Sequence, residues 1–241
     1  MLGDITLGVT VLLGASVQRL AGIGFALVAV PALVLLLGAS DGVALANLAS
    51  ASISVIGLTQ SGAWGAIRLR SMLPLLAAAA CTVPLGAWVA ARLPEPELLV
   101  GIGVLITLAV TAVLRGVTFP SLKGRGGAIA AGAASGFMNS SAGVGGPALT
   151  LYALNAGWTV TEFVPNAQLY GVLVNGLSIT TKGLPHLTPT SWLTATTTLA
   201  LGTALGTILA PRIPEPRART LVLTLALLGG ATILTKGALT W

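Results

Sequence analysis

The stretch Gln18-Arg19-Leu20-Ala21-Gly22-Ile23-Gly24-Phe25 lies inside an apolar run extending from residue 4 to residue 38. As one helix that run would measure about 50 Å, against about 30 Å of hydrocarbon in a bilayer. It is too long for a single crossing. Glycine permits backbone angles that other residues avoid and lets neighbouring groups approach closely. The run therefore reads as a helix in, a break at Gly22–Gly24, and a helix back out. Residues 127–155 repeat the pattern, interrupted at Asn139-Ser140-Ser141-Ala142-Gly143-Val144-Gly145-Gly146-Pro147. Pro147 suits the first turn of a returning helix, where its missing N–H is not needed.

Composition places these breaks in a membrane. The chain has 241 residues, 55% of them hydrophobic and 7% charged. Soluble domains carry about 25% charged residues, so this surface must face hydrocarbon. The expected fold is all-α and polytopic, with segments at 4–38, 43–64, 72–91, 97–115, 127–155, 163–182, 190–211 and 218–237. A β-barrel would show short alternating strands, not continuous Leu, Ala, Val and Gly. The net charge of +6 fits basic cytoplasmic loops better than nucleic-acid binding. The first run lacks a basic leader region and continues past Pro31, so it reads as structure, not as a signal.

The two halves resemble each other. Ala21-Gly22-Ile23-Gly24 answers Ala142-Gly143-Val144-Gly145 at an offset of 142 − 21 = 121. Arg92-Leu93-Pro94-Glu95-Pro96 answers Arg212-Ile213-Pro214-Glu215-Pro216 at an offset of 212 − 92 = 120. The division is a first repeat over 1–118, a cytoplasmic linker over 119–126, and a second repeat over 127–241. One hairpin plus three spanning helices makes an odd number of crossings, so the repeats are expected to be inverted. Arg68, Arg70, Arg115, Lys123, Arg125, Arg212, Arg217 and Arg219 then share one face, with Arg92, Lys182 and Lys236 on the other. That is 8 against 3, where a parallel arrangement gives 7 against 4 with Arg19 outside both counts. The richer face is expected to be cytoplasmic, with both termini outside.

The breaks are also the candidate site. A helix N-terminus carries unpaired N–H groups and about half a positive charge, which suits an anion. The expected substrate-binding residues are Gln18, Arg19, Gly22 and Gly24 at the first break. Asn139, Ser140, Ser141, Gly143, Gly145 and Gly146 form the second. Arg19 reads as a counter-charge for the anion or as a side chain snorkelling to the headgroups. Asn47, Asn166 and Gln168 could line the path or join helices, with Asn47 and Asn166 matched at an offset of 119. Trp64, Trp88, Trp158, Trp192 and Trp241 read as interfacial anchors. His186 and Glu95, Glu97 and Glu215 read as loop residues.

Enzyme chemistry has no visible basis. The single Cys81 and the lone His186 supply neither a disulfide nor a metal cluster. Gly143-Val144-Gly145-Gly146 lacks the Lys and Ser/Thr of a phosphate-binding loop. No catalytic residue, metal or cofactor is expected.

The breaks, the duplication and the length together resemble the sulfite exporter TauE/SafE family, also called the toluene sulfonate uptake permeases. The resemblance rests on Ala21-Gly22-Ile23-Gly24-Phe25 continuing to Pro31, and on Ala142-Gly143-Val144-Gly145-Gly146-Pro147. It implies transport of sulfite or an organosulfonate, as a secondary transporter of the inner or plasma membrane. Export by alternating access is the expected mode, with a proton or sodium as the coupling ion and self-association left open. An anion channel and a structural subunit of a membrane complex are the alternatives.

Overall fold

Each over-long apolar run resolves into two helices. The computed structural model describes residues 2–22, 24–116, 124–213 and 215–240. The first half runs α1 (Leu2–Ala21), α2 (Phe25–Leu37), α3 (Ala39–Ser61), α4 (Leu69–Arg92) and α5 (Glu95–Leu114). The second runs α6 (Gly124–Ala142), α7 (Gly146–Asn155), α8 (Val160–Lys182), α9 (Pro189–Leu209) and α10 (Glu215–Leu239). No strand occurs among the described residues.

Most helices begin a few residues earlier than hydropathy suggests. Asp41, Glu95 and Glu162 occupy first turns, where a carboxylate meets the positive end of the helix dipole. Glu162 also closes a capping box with Thr159. Glu95, Glu97 and Glu215 are therefore helical residues, not loop residues. Of the expected linker at 119–126, residues 119–123 lie outside the described residues, and 124–126 already belong to α6.

Five helical stretches among the described residues are long and apolar enough to cross a membrane: Ala39–Ser61, Leu69–Arg92, Glu95–Leu114, Pro189–Arg212 and Val222–Leu239. The chain is a multi-pass membrane protein. α8 is as long as α3, but it carries Asn166, Gln168 and Asn175, all buried. α2 is apolar on every side, with Phe25, Ala29, Val30 and Leu33 fully buried. A helix without a polar face belongs in a core, and α2 packs among α1, α3 and α10.

The folding-back is visible in the contacts. Gly14 of α1 packs against Phe25 and Ala29 of α2, so α2 returns along α1. The helix pairings also exchange between the halves. α1 packs on α9 as α6 packs on α4, while α3 packs on α8 and α5 on α10. The first two pairs are parallel and close. Ser16 donates to the Gly202 carbonyl at 3.1 Å and Arg19 to Thr207 at 3.0 Å. Gly132 lies against Leu75, and Gly136 against Ala79. Gly202 and Gly206, four residues apart, let α9 touch the α1 backbone at Leu12 and Ser16. Small residues four apart are how membrane helices gain close packing without a hydrophobic driving force.

Contacts at helix ends define two faces of the bundle. On the first, Ser191 beside the start of α9 donates to Asp4 of α1 at 3.2 Å. His186, in the α8–α9 link, meets Asp41 of α3 at 3.2 Å, and Gly38 lies beside Glu95. On the second face, Arg68 pairs with Glu162.

Candidate functional site

The first turns of α2 and α7 meet a common cavity of about 60 Å3. Gln18, Gly24, Phe25, Ser50 and Ser54 line it from the first half. Asn139, Gly143, Gly145, Tyr170 and Asn175 line it from the second.

Local backbone chemistry builds both breaks. Gly143 has φ of 74°, the left-handed conformation that ends helices in a reversed loop. Its N–H donates to the Asn139 carbonyl at 2.9 Å, and the Val144 N–H to Met138 at 3.2 Å. Those two bonds close α6 and free the chain to start α7. In the first half Gly22 and Gly24 have φ of 77° and 127°. The leading N–H groups of α2 and α7 have no partner within their own helices.

The two breaks are not end to end. A side chain at Gly143 would meet Val30, six residues beyond Gly24 on α2, or about 9 Å along a helix. The breaks therefore pass each other, and the cavity runs between them. Gly22 lies against Val164 and Gly143 against Val43. The offsets 143 − 22 and 164 − 43 both equal 121, so the halves correspond at that offset. Asn47 thus answers Gln168 and not Asn166, contrary to the offset of 119 read from the sequence.

The polar residues around the cavity hold one another in fixed orientations. Gln18 Nε2 donates to the Ser50 carbonyl and to Ser54 Oγ, both at 3.2 Å. Asn139 Nδ2 donates to Asn175 Oδ1 and to Ser178 Oγ, both at 3.0 Å. Asn175 in turn donates to the Gly171 carbonyl at 2.8 Å, which fixes which of its amide atoms faces Asn139. Ser135 donates to the Gly145 carbonyl at 2.7 Å. Tyr170 is 4% exposed, and its hydroxyl makes no hydrogen bond of good geometry. The hydroxyl lies beside Ser135.

Of the residues expected from the sequence, Gln18, Gly24, Asn139, Gly143, Gly145 and Gly146 line this cavity. The others are placed elsewhere. Arg19 reaches Gln60 at 2.9 Å and Thr207 at 3.0 Å, near the ends of α3 and α9. Gly22 gives its carbonyl to Gln168 at 3.1 Å. Asn47 is buried with neither amide atom partnered among the described residues. Asn166 donates to the Ala66 carbonyl at 3.0 Å and accepts from the Arg68 N–H at 2.8 Å, tying the α3–α4 link to α8. Ser140 bonds within α6, and its carbonyl accepts from Lys182 at 3.0 Å. Ser141 lines a separate vestibule of about 830 Å3 together with Lys182, Thr181, Asp41, Trp88 and Glu95.

Ser50, Ser54 and Tyr170 were missed from sequence. Ser50 and Ser54 are spaced one turn apart and fall on the face of α3 toward Gln18, a signal that is only faint in a helix rich in serine. Among the described residues no cluster of His, Cys, Asp or Glu could hold a metal.

No curated protein and no solved structure matches the chain. A family model described as sulfite exporter TauE/SafE matches residues 7–233. Both glycine breaks, the cavity they share and nearly the whole bundle fall within that span, and the chain belongs to the sulfite exporter TauE/SafE family.

Proposed function

We propose that the chain is a secondary transporter that exports sulfite or a small organosulfonate by alternating access, with substrate held in the cavity between the two breaks. One observation carries this reading: a single cavity, holding the amides of Gln18, Asn139 and Asn175, touches the first turns of both returning helices. Unpaired N–H groups at such turns favour an anion, and broken helices at a repeat interface are where transporters of this kind bind.

The halves are read as inverted. The end contacts support this: α1 and α9 start together on one face, while α4, which runs parallel to α6, starts on the other beside α8. The face of Arg68, Arg70, Arg115, Arg125 and Arg212 is assigned to the cytoplasm, in an inner or plasma membrane. The vestibule at Asp41 and Lys182 then opens outward. Export needs no separate energy source for an anion. A cell interior negative by about 100 mV favours outward movement by about 2.3 kcal/mol per charge.

The test is flux in proteoliposomes. Purified protein should accelerate sulfite efflux, and the rate should saturate with concentration. Single-channel currents would replace the carrier by a channel. A chain that binds no anion but co-purifies with one membrane partner would replace it by a structural subunit.

A further inference from the structure

The cavity contains no charged side chain. Its titratable member is Tyr170. The nearest cations are engaged elsewhere, Arg19 by Gln60 and Thr207 and Lys182 by the Ser140 carbonyl. Asp41, in the outer vestibule, pairs with His186. A doubly charged oxyanion would therefore be buried without an ionic partner, which is costly.

Ser50 holds the Gln18 amide with its nitrogen turned toward α3. Asn175 and Ser178 hold the nitrogen of Asn139 in the same manner. Both donor groups are used. What each amide has left is its oxygen, and neither Gln18 Oε1 nor Asn139 Oδ1 accepts a hydrogen bond from any described residue. Gln18 and Asn139 are equivalent residues, at an offset of 139 − 18 = 121, so each half offers the cavity one acceptor. The remaining donors are the unpaired N–H groups of the breaks and the hydroxyls of Ser50 and Ser54, while the Tyr170 ring lines the cavity with its hydroxyl buried beside Ser135.

We propose that this site, read as the substrate site, takes a small oxyanion that still carries one proton: hydrogen sulfite, the monoanion, and not the sulfite dianion. The N–H groups and the Ser50 and Ser54 hydroxyls donate to its charged oxygens. Its own proton is donated to the oxygen of Gln18 or Asn139. Fully deprotonated oxygens would meet those two carbonyls as repulsive neighbours. The proton thus crosses on the substrate, and the chain needs no membrane-embedded acid to carry it.

The test compares sulfite with methanesulfonate, which is singly charged but has no proton to donate. Binding to the purified full chain is measured by calorimetry across a pH range spanning the second dissociation of sulfite. The affinity for total sulfite should fall by about tenfold per pH unit above that dissociation, following the monoanion. Methanesulfonate should bind more weakly than hydrogen sulfite, compared below that dissociation, and with no pH trend. Sulfite affinity that is flat or rises with pH would overturn the inference while leaving the cavity as the substrate site. Methanesulfonate binding as tightly as hydrogen sulfite would do the same. A matching pH trend for methanesulfonate would assign the effect to the protein and also overturn it. If sulfite fails to bind at any pH, the reading of the cavity as substrate site fails as well.

Discussion

Gln168, from the second half of the chain, donates its amide to the carbonyl of Gly22 in the first half at 3.1 Å. Its counterpart Asn47 stands one turn beyond Val43, which packs on Gly143, yet the shorter amide bonds to nothing described. One break is clamped from the opposite half and the other is not. Gln168→Leu should leave the Gly22 carbonyl unpaired, cost about 1–3 kcal/mol and lower the thermal midpoint. Asn47→Leu removes polar atoms that have no partner, so it should be neutral or stabilising. Differential scanning fluorimetry on both variants checks this. Equal destabilisation would show that the Asn47 amide has a partner.

Close helix packing rests on particular glycines. A Cβ on Gly132 would strike the backbone at Leu75, and one on Gly206 the carbonyl of Ser16. Gly132→Leu and Gly206→Leu should each destabilise by about 1–3 kcal/mol or more, since backbone cannot yield as a side chain can. Gly126, with open space around it, is the control. Size-exclusion profiles of the three variants should separate them, and a well-behaved Gly132→Leu would contradict the α4–α6 contact.

Arg19 is expected from sequence to be a counter-charge for the anion, but it lies outside the cavity with its own partners on α3 and α9. We predict that Arg19→Met changes sulfite affinity by less than about twofold. A loss of about tenfold, or 1.4 kcal/mol, would bring the guanidinium back into the site.

Sidedness can be read by cysteine labelling in a Cys81→Ser background. Arg115→Cys, at the exposed end of α5, should react with an impermeant reagent only from the cytoplasm. His186→Cys, in the exposed α8–α9 link, should react only from outside. Labelling of both from the same side contradicts the inverted arrangement.

Hydropathy and glycine placement together determine that the chain is a helical membrane protein with two interrupted segments. Hydrocarbon leaves the backbone no partners but its own, so long apolar runs must be helices. A run too long to cross once, with glycines inside it, must turn there. The family resemblance was legible from the same two glycine stretches. Only the tertiary structure decided that Arg19 stands aside, that Asn47 answers Gln168, and that Ser50, Ser54 and Tyr170 join the cavity. Those outcomes depend on helix rotation and depth. A segment such as α2, apolar on all sides, carries no periodic mark of either. The offset of the two breaks was likewise invisible, because it arises from how far each hairpin slides along its neighbours before side chains lock.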